Sequence, residues 1–492
     1  MEIFFTDYAA LDVPVDGLGA DEAGRRVAEF RGRFVPEGMP FVLSDDGLYE
    51  WTLNRFLRSL PTSGARSPKT WRAYAYDLVT WARFLAEYRG GRSVLDATRE
   101  DLDAFYAARR LSGREFRIEA SSWSRLDAAL EKFYRWTLAV GLLEGSPFSF
   151  GRLQPSGEVS VVGAKEKRAR KGDVEFLSAQ RYLAFRDVGL RGYLPGGGED
   201  ATFTSRCGSR NAAFADLCAT TGLRLEEANS LLACELPEID ASDGARSERF
   251  ELAPLITKGD RGRFVNIPHR VLRGLRDYVE AERCVAAQRA ASRGFASGWS
   301  RRWIRVRDPD RCGGQMLTAG GLWFSVDWVD LDPGERSRLL NVDQEGRPVG
   351  PLALWLGEQG FPMAPRTWES AFERASQRCR RHGLDIEASP HTLRHTFAVH
   401  LLTELVRQHL ASAGKEQSAD MRYNAYQRVM GDPLAHLQKL LGHSRITTTY
   451  IYLNSIGEAQ ELIDEAVGEL ARKLEGSDAE ELLADLKLAD AL

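Results

Sequence analysis

The chain has 492 residues, with 66 Lys plus Arg against 70 Asp plus Glu and a formal net charge of −4. That length exceeds what one ordinary core serves, so two or more domains are expected. The charge excludes a uniformly basic coat, so any polyanion has to be met by local clusters of cations. The six cysteines, Cys207, Cys218, Cys234, Cys284, Cys312 and Cys379, form no Cys-x-x-Cys pair. This spacing predicts reduced thiols in a cytoplasmic protein, with neither a disulfide framework nor a zinc site. The N-terminus, Met-Glu-Ile-Phe-Phe-Thr-Asp, has no basic n-region and no long apolar run, and no later stretch reaches membrane-spanning length, so no membrane partner is expected.

Residues 1–47 show helical periodicity only from Asp21 to Phe34 and read as an N-terminal arm without an assigned role. From 48 to 150 the pattern is helical. Ser67 before Pro68 marks a helix start, followed by the apolar stripe Trp71, Tyr74, Ala75, Leu78, Ala82 and Leu85. Arg99 to Arg110 and Ser121 to Val140 supply further amphipathic helices, and Gly145-Ser-Pro147 closes the block. Residues 151–173 are poor in apolar side chains and carry Lys165, Lys167, Arg168, Arg170 and Lys171. Such a run is a solvated linker or a segment lying along a phosphate backbone.

A second domain begins near Val174. Within Asn211–Leu232 the turn Gly222-Leu223-Arg224 opens a helix with Glu226 and Glu227 in its first turn. Phe250–Ile256 and Arg263–Ile267 read as a hairpin with Lys258 in its turn. A helix follows from Val271 to Gln288, and residues 290–350 are irregular. Another helix runs from Pro365 to Arg381, where Arg374, Arg378 and Arg381 suggest a cationic face. Ser389-Pro390 opens a helix that places His391 and Arg394, three apart, on one face. A guanidinium fork fits two phosphate oxygens and an imidazole moves a proton near neutral pH, so this pair suits phosphoryl chemistry. A further apolar helix ends at Gly442-His443, and a Thr-rich turn leads to Tyr450 and Tyr452. Helices over Ala459–Leu474 and Asp478–Ala489 complete the chain, the last being acidic.

The Gly222-Leu223-Arg224 turn, His391-x-x-Arg394, Leu441-Gly442-His443 and a tyrosine nine residues beyond that histidine (452 − 443) resemble, in this order, the tyrosine recombinase (phage integrase) family. The resemblance implies a mainly α (α+β) fold. It divides the chain into a helical core-binding, DNA-binding domain at 48–150, a basic linker at 151–173 and a mostly helical catalytic domain at 174–475 with a small antiparallel sheet. Insertions are expected near 290–350 and 403–430, and an acidic C-terminal helix at 476–492 either docks on a neighbouring protomer or is a tail that folds back in cis or stays disordered.

The resemblance further implies an enzyme that cleaves and rejoins DNA through a 3′-phosphotyrosyl link, for integration, excision or transposition. Tyr452 would be the nucleophile, Arg224 and Arg394 the phosphate clamp and Lys258 the acid for the departing 5′-oxygen. His391 would be the base toward the tyrosine, and His443 a hydrogen-bond donor to the phosphate. No cofactor and no metal is implied. The partners would be double-stranded DNA with specific sites, a homo-tetramer on that DNA and possible accessory proteins. The rival readings are a type IB-like DNA-relaxing enzyme and a non-catalytic DNA-binding regulator on the same scaffold.

Overall fold

The computed structural model describes residues 1–7, 35–65, 67–113, 117–153, 159–162, 174–239, 246–292, 303–318, 321–413 and 432–455. The expected helix from Asp21 to Phe34, the basic run from Lys165 to Lys171, the insertion beyond Ala413 and everything after Ser455 lie outside these residues. The chain divides into two compact units, Met1–Lys171 and Gly172–Leu492.

In the first unit the N-terminal residues join the helical core. Strands β1 (Glu2–Phe5) and β2 (Pro40–Leu43) pair antiparallel, and Met39 and Val42 are buried with the helices. Helix α1 (Trp51–Ser59) brings the buried Asn54 amide against β2, where it accepts from Val42 N at 2.7 Å and donates to Val42 O at 2.8 Å. A helix side chain thereby satisfies strand backbone that no further strand pairs with among the described residues. Helix α2 (Pro68–Tyr88) starts at the proline and buries Trp71, Ala75, Leu78, Ala82 and Leu85, the spacing of one helical face. Helix α3 (Arg99–Tyr106) starts at a reciprocal cap between Thr98 and Asp101. Helix α4 (Ala120–Ala139) packs on α2 through Trp123, Leu126, Leu130 and Phe133. The Trp81 indole donates to the Tyr134 hydroxyl at 2.8 Å, which donates onward to Val94 O at 2.8 Å, so both buried polar tips are satisfied. Strands β3 (Ser149–Leu153) and β4 (Val159–Val162) then pair antiparallel.

The second unit is built around α6 (Gly208–Thr221), which is buried along most of its length. Ahead of it, α5 (Ala179–Ala184) runs into a wider turn, Phe185–Arg191. After it come the short α7 (Leu225–Asn229), the hairpin β5 (Ser247–Leu252) with β6 (Arg263–Pro268), and the helices α8 (His269–Tyr278) and α9 (Cys284–Ser292). Pro254 breaks the first strand earlier than expected. Pro254–Ile256 forms a 3-10 turn, which widens the loop that carries Lys258.

The insertion near 290–350 holds the largest sheet among the described residues. Its strands are β7 (Ile304–Arg307), β8 (Gly313–Leu317), β9 (Trp323–Asp327), β10 (Leu339–Val342) and β11 (Pro348–Pro351), in the order β11-β10-β7-β8-β9. The pair β7 and β10 is parallel and the others are antiparallel, so the expectation of a small antiparallel sheet holds for the hairpin and needs this mixed sheet added. In the short helix α10 (Pro333–Arg336), Arg336 is 1% exposed. Its two terminal nitrogens meet Glu235 at 2.8 and 2.9 Å, fastening the insertion to the main core.

Helix α11 (Pro365–Arg381) does not present the expected cationic face. Arg374 and Arg381 are exposed, but Arg378 is buried and donates to Val188 O and Asp200 Oδ2 at 2.8 and 2.5 Å. Helix α12 (Pro390–Ala413) then packs on α6, and α13 (Pro433–Leu441) packs on α12. Two short 3-10 turns, Ile446–Thr448 and Tyr450–Ser455, end the described chain. No helix among the described residues is long and apolar enough to cross a membrane.

Candidate active site

Three local devices bring the side chains together. The first is a pair of helix ends. Helices α6 and α13 both stop at a glycine in the left-handed region, Gly222 (φ 65°) and Gly442 (φ 63°), and each leaves carbonyls without helical partners. A Cβ on Gly222 would fall 2.3 Å from the Phe397 ring, so glycine is required there for space as well as for φ. Arg394 on α12 donates to Gly222 O and to Leu441 O (2.7 Å), joining the two helix ends. The negative ends of both helix dipoles thus hold one guanidinium.

The second device is a buried carboxylate. Glu227 stands at the third position of α7 and is 1% exposed, and its Oε2 accepts from the backbone N–H of Arg224 at 2.8 Å. Its oxygens also take Arg224 Nη1 (2.8 Å) and both terminal nitrogens of Arg263 (2.9 and 2.6 Å). Arg263 reaches inward because strand alternation places it with Phe250, Leu252 and Val265, while Arg249, Glu251, Phe264 and Asn266 face out. Its Nε donates to Leu440 O at 2.9 Å. Arg224 Nη2 reaches Gly442 O at 3.4 Å, and its side chain keeps 27% exposure.

The third device is the start of α12. Ser389 Oγ accepts from Thr392 N at 3.1 Å, and Ser389 N donates to Thr392 Oγ1 at 3.2 Å, so the predicted cap is present. Of the pair three residues apart, Arg394 is buried and His391 is exposed. His395, one turn on from His391, carries its ring 4.2 Å from that of His391, and its Nδ1 lies 3.0 Å from the Tyr452 hydroxyl. The expected partner of the tyrosine was His391, but the ring in contact is His395.

Tyr452 is 1% exposed, whereas Tyr450 is 48% exposed. Burial raises the Tyr452 phenol above its ordinary value, and Arg394 and Arg224 pull it back only in part. Arg394 is itself lowered to about 10 by burial and by the neighbouring Arg224, and remains a cation at neutral pH. His443 Nε2 lies 3.2 Å from Arg394 Nη2 and its Nδ1 3.0 Å from Thr449 Oγ1. Arginine has no acceptor, so Nε2 accepts and the ring proton sits on Nδ1. Burial, then Arg394 and the other cations, bring His443 down to about 4, so the ring is neutral at physiological pH.

Lys258, Gly259 and Arg261 line a cleft of about 1200 Å³ together with Arg224, Arg263, Lys439, Gly442 and His443. Lys258 is exposed at its rim. The structure therefore gathers Arg224, Arg394, His443 and Tyr452 closely, sets Lys258 across the same cleft from the Gly442-His443 turn and places His391 behind His395. The linker cations Lys165, Lys167, Arg168, Arg170 and Lys171 lie outside the described residues. Glu227, Arg263, His395 and Thr449 were not singled out from the sequence. Signals existed for three of them: Glu227 by its capping position, Arg263 by strand alternation and His395 by its four-residue offset from His391.

A mostly helical unit thus holds a buried phenol among arginines and histidines. The chain is similar to tyrosine recombinases over most of its length. Residues 53–141 match the family model for the phage integrase N-terminal SAM-like domain. The chain is 25% identical over 416 residues to tyrosine recombinase XerC of Chlorobaculum tepidum, covering 84% of this chain and 92% of that protein. It is 38% identical over 100 residues to tyrosine recombinase XerD of Corynebacterium glutamicum, covering 20% and 23%. Among solved structures it is similar to XerH site-specific recombinase bound to difH substrate (12% identity, 90% of this chain and 89% of that one, TM-score 0.43). It is also similar to a lambda integrase dimer bound to a COC′ core site (13% identity, 82% and 93%, TM-score 0.41).

Proposed function

We propose that this chain is a site-specific DNA recombinase that breaks and rejoins strands through a covalent link between Tyr452 and a 3′-phosphate. The observation that carries the reading is the burial of Tyr452 with its hydroxyl against His395, beside Arg394 and His443. A solvent-facing aromatic such as Tyr450 has no comparable surroundings. In the proposed reaction the phenolic oxygen attacks phosphorus, and Arg224 and Arg394 take the non-bridging oxygens, where negative charge builds in the transition state. Arg224, held by Glu227 yet open to the cleft, meets the phosphate first. Arg394 is already charged and desolvated, so its attraction to the phosphate is little screened by water. Lys258, across the cleft, delivers the proton to the departing 5′-oxygen. For His443 to donate to the phosphate from Nε2, its ring proton has to leave Thr449 and Arg394 has to turn its fork onto the phosphate.

The helical unit over 48–150 acts as a DNA-binding domain in this reading, which its match to the phage integrase N-terminal domain supports. The cations of 165–171 run along the phosphate backbone, and four protomers assemble on paired sites. The test is to select bound duplexes from a random pool and nick one strand of the selected duplex near its centre. Denaturing electrophoresis should then show protein covalently attached to DNA, and mass spectrometry should place the nucleotide on Tyr452. Tight binding without any adduct would leave the non-catalytic regulator as the better reading.

A further inference from the structure

We infer that His395, rather than His391, takes the phenolic proton from Tyr452 as the phosphotyrosyl bond forms. The inference rests on the proposed reaction and adds to it the identity of the proton acceptor. Four groups stand around the tyrosine: two arginines and two histidines. Arg394 and Arg224 are cations without acceptor atoms. His443 is engaged on both ring nitrogens, accepting from Arg394 and donating to Thr449, and its basicity is depressed by burial and by the same cations. Its ring stacks nearly parallel to the Tyr452 ring with centroids 6.4 Å apart. His395 places Nδ1 at 3.0 Å from the phenolic oxygen, within the range required of a general base. His391 lies one turn toward the N-terminus, exposed, with its ring edge-on to His395 at 4.2 Å.

The chemistry balances without a further reagent. The Tyr452 O–H bond breaks and its proton passes to His395 Nδ1, while the oxygen forms a bond to phosphorus. The P–O5′ bond breaks with its electron pair, and the 5′-oxygen takes a proton from Lys258. On rejoining, the 5′-hydroxyl gives its proton back to Lys258 as its oxygen attacks phosphorus, the phosphotyrosyl bond breaks, and the His395 imidazolium returns its proton to the phenolate. His391 acts through His395, as the exposed ring beside it.

The experiment uses the full chain and the nicked duplex selected by the wild-type protein. His395→Asn keeps a hydrogen-bonding group where Nδ1 stood but cannot accept a proton, and should slow single-turnover adduct formation by about 100-fold with DNA binding unchanged. His391→Asn should slow it less. Replacing Tyr452 with a fluorinated tyrosine, whose phenol is more acidic, should restore most of the His395→Asn loss, because an already ionised oxygen needs no acceptor. A merely structural role for His395 would not respond to phenol acidity. The inference is overturned if His395→Asn cleaves within about threefold of wild type, or if the acidified phenol rescues His391→Asn and leaves His395→Asn slow. If the substitution unfolds the protein, a series of fluorinated tyrosines in the otherwise wild-type chain decides instead. A weak dependence of rate on phenol acidity is expected with the base in place, and a steep one would mean unassisted ionisation. Absence of adduct with the wild-type protein overturns the proposed function itself, which separates the two failures.

Discussion

The two walls of the cleft are built on opposite principles. On one wall His443 is half-buried, and behind it Arg394 and Tyr452 are buried; Arg394 is tied to helix ends and to His443, and His443 to Thr449. On the other, Lys258 and Arg261 stand exposed on a wide loop that contains Gly259 and Asp260 in the left-handed region. The difference matches what the proposed reaction asks of each wall. Groups that meet charge on a phosphate gain most from being fixed and desolvated beforehand, since no reorganisation is then needed at the moment of reaction. A proton donor has to reach an oxygen that moves away, and a long side chain on an exposed loop can follow it. Glu227 serves the first wall from behind: it is buried, pairs with both Arg224 and Arg263, and sets where Arg224 points.

The sharpest break in this comparison comes at the tyrosines. Tyr452→Phe should abolish covalent capture of nicked DNA while binding persists, and Tyr450→Phe should retain capture. The reverse result on denaturing gels would move the nucleophile to the exposed tyrosine and remove the buried wall from the chemistry. Next, Arg394→Lys should slow single-turnover cleavage by about 10²- to 10³-fold, because one ammonium cannot span Gly222 O and Leu441 O and also meet a phosphate. An effect under tenfold would mean that the fork geometry is not used.

On the open wall, Lys258→Ala should slow cleavage by about 100-fold without moving the denaturation midpoint. A substrate with sulfur in place of the bridging 5′-oxygen should recover the rate, since that leaving group needs no acid. Failure of the sulfur substrate to rescue would assign Lys258 to binding. Glu227→Gln should do the opposite and lower the stability of the second unit by about 3 kcal/mol in urea denaturation, because it leaves the buried Arg263 without its counter-charge. The smallest effect concerns His443. Its folded value of about 4 lies below the ordinary 6.5, so its contribution to stability is intact above pH 6.5 and is lost as pH falls from there toward 4. After allowance for solvent screening this amounts to about 1 kcal/mol. Denaturation midpoints at pH 7 and pH 5 should differ less in His443→Gln than in wild type.

Much of this organisation is written in local sequence. The starts of α2 and α12 follow from Ser-Pro pairs, the ends of α6 and α13 from glycines that readily accept the left-handed backbone, and the order Arg224, Lys258, His391, Arg394, His443, Tyr452 carries the resemblance to tyrosine recombinases. These features depend on contacts within a few residues, and a linear pattern carries them. Tertiary structure decided the rest. It set which histidine touches the tyrosine, since His391 and His395 differ by one turn and only the packing of the Tyr450–Ser455 turn on α12 selects between them. It turned the irregular stretch of 290–350 into a five-stranded sheet, whose parallel pair joins strands more than thirty residues apart. It also gave Arg263 and Arg378 their buried partners, because whether an arginine faces water or a carboxylate depends on elements far away in the chain.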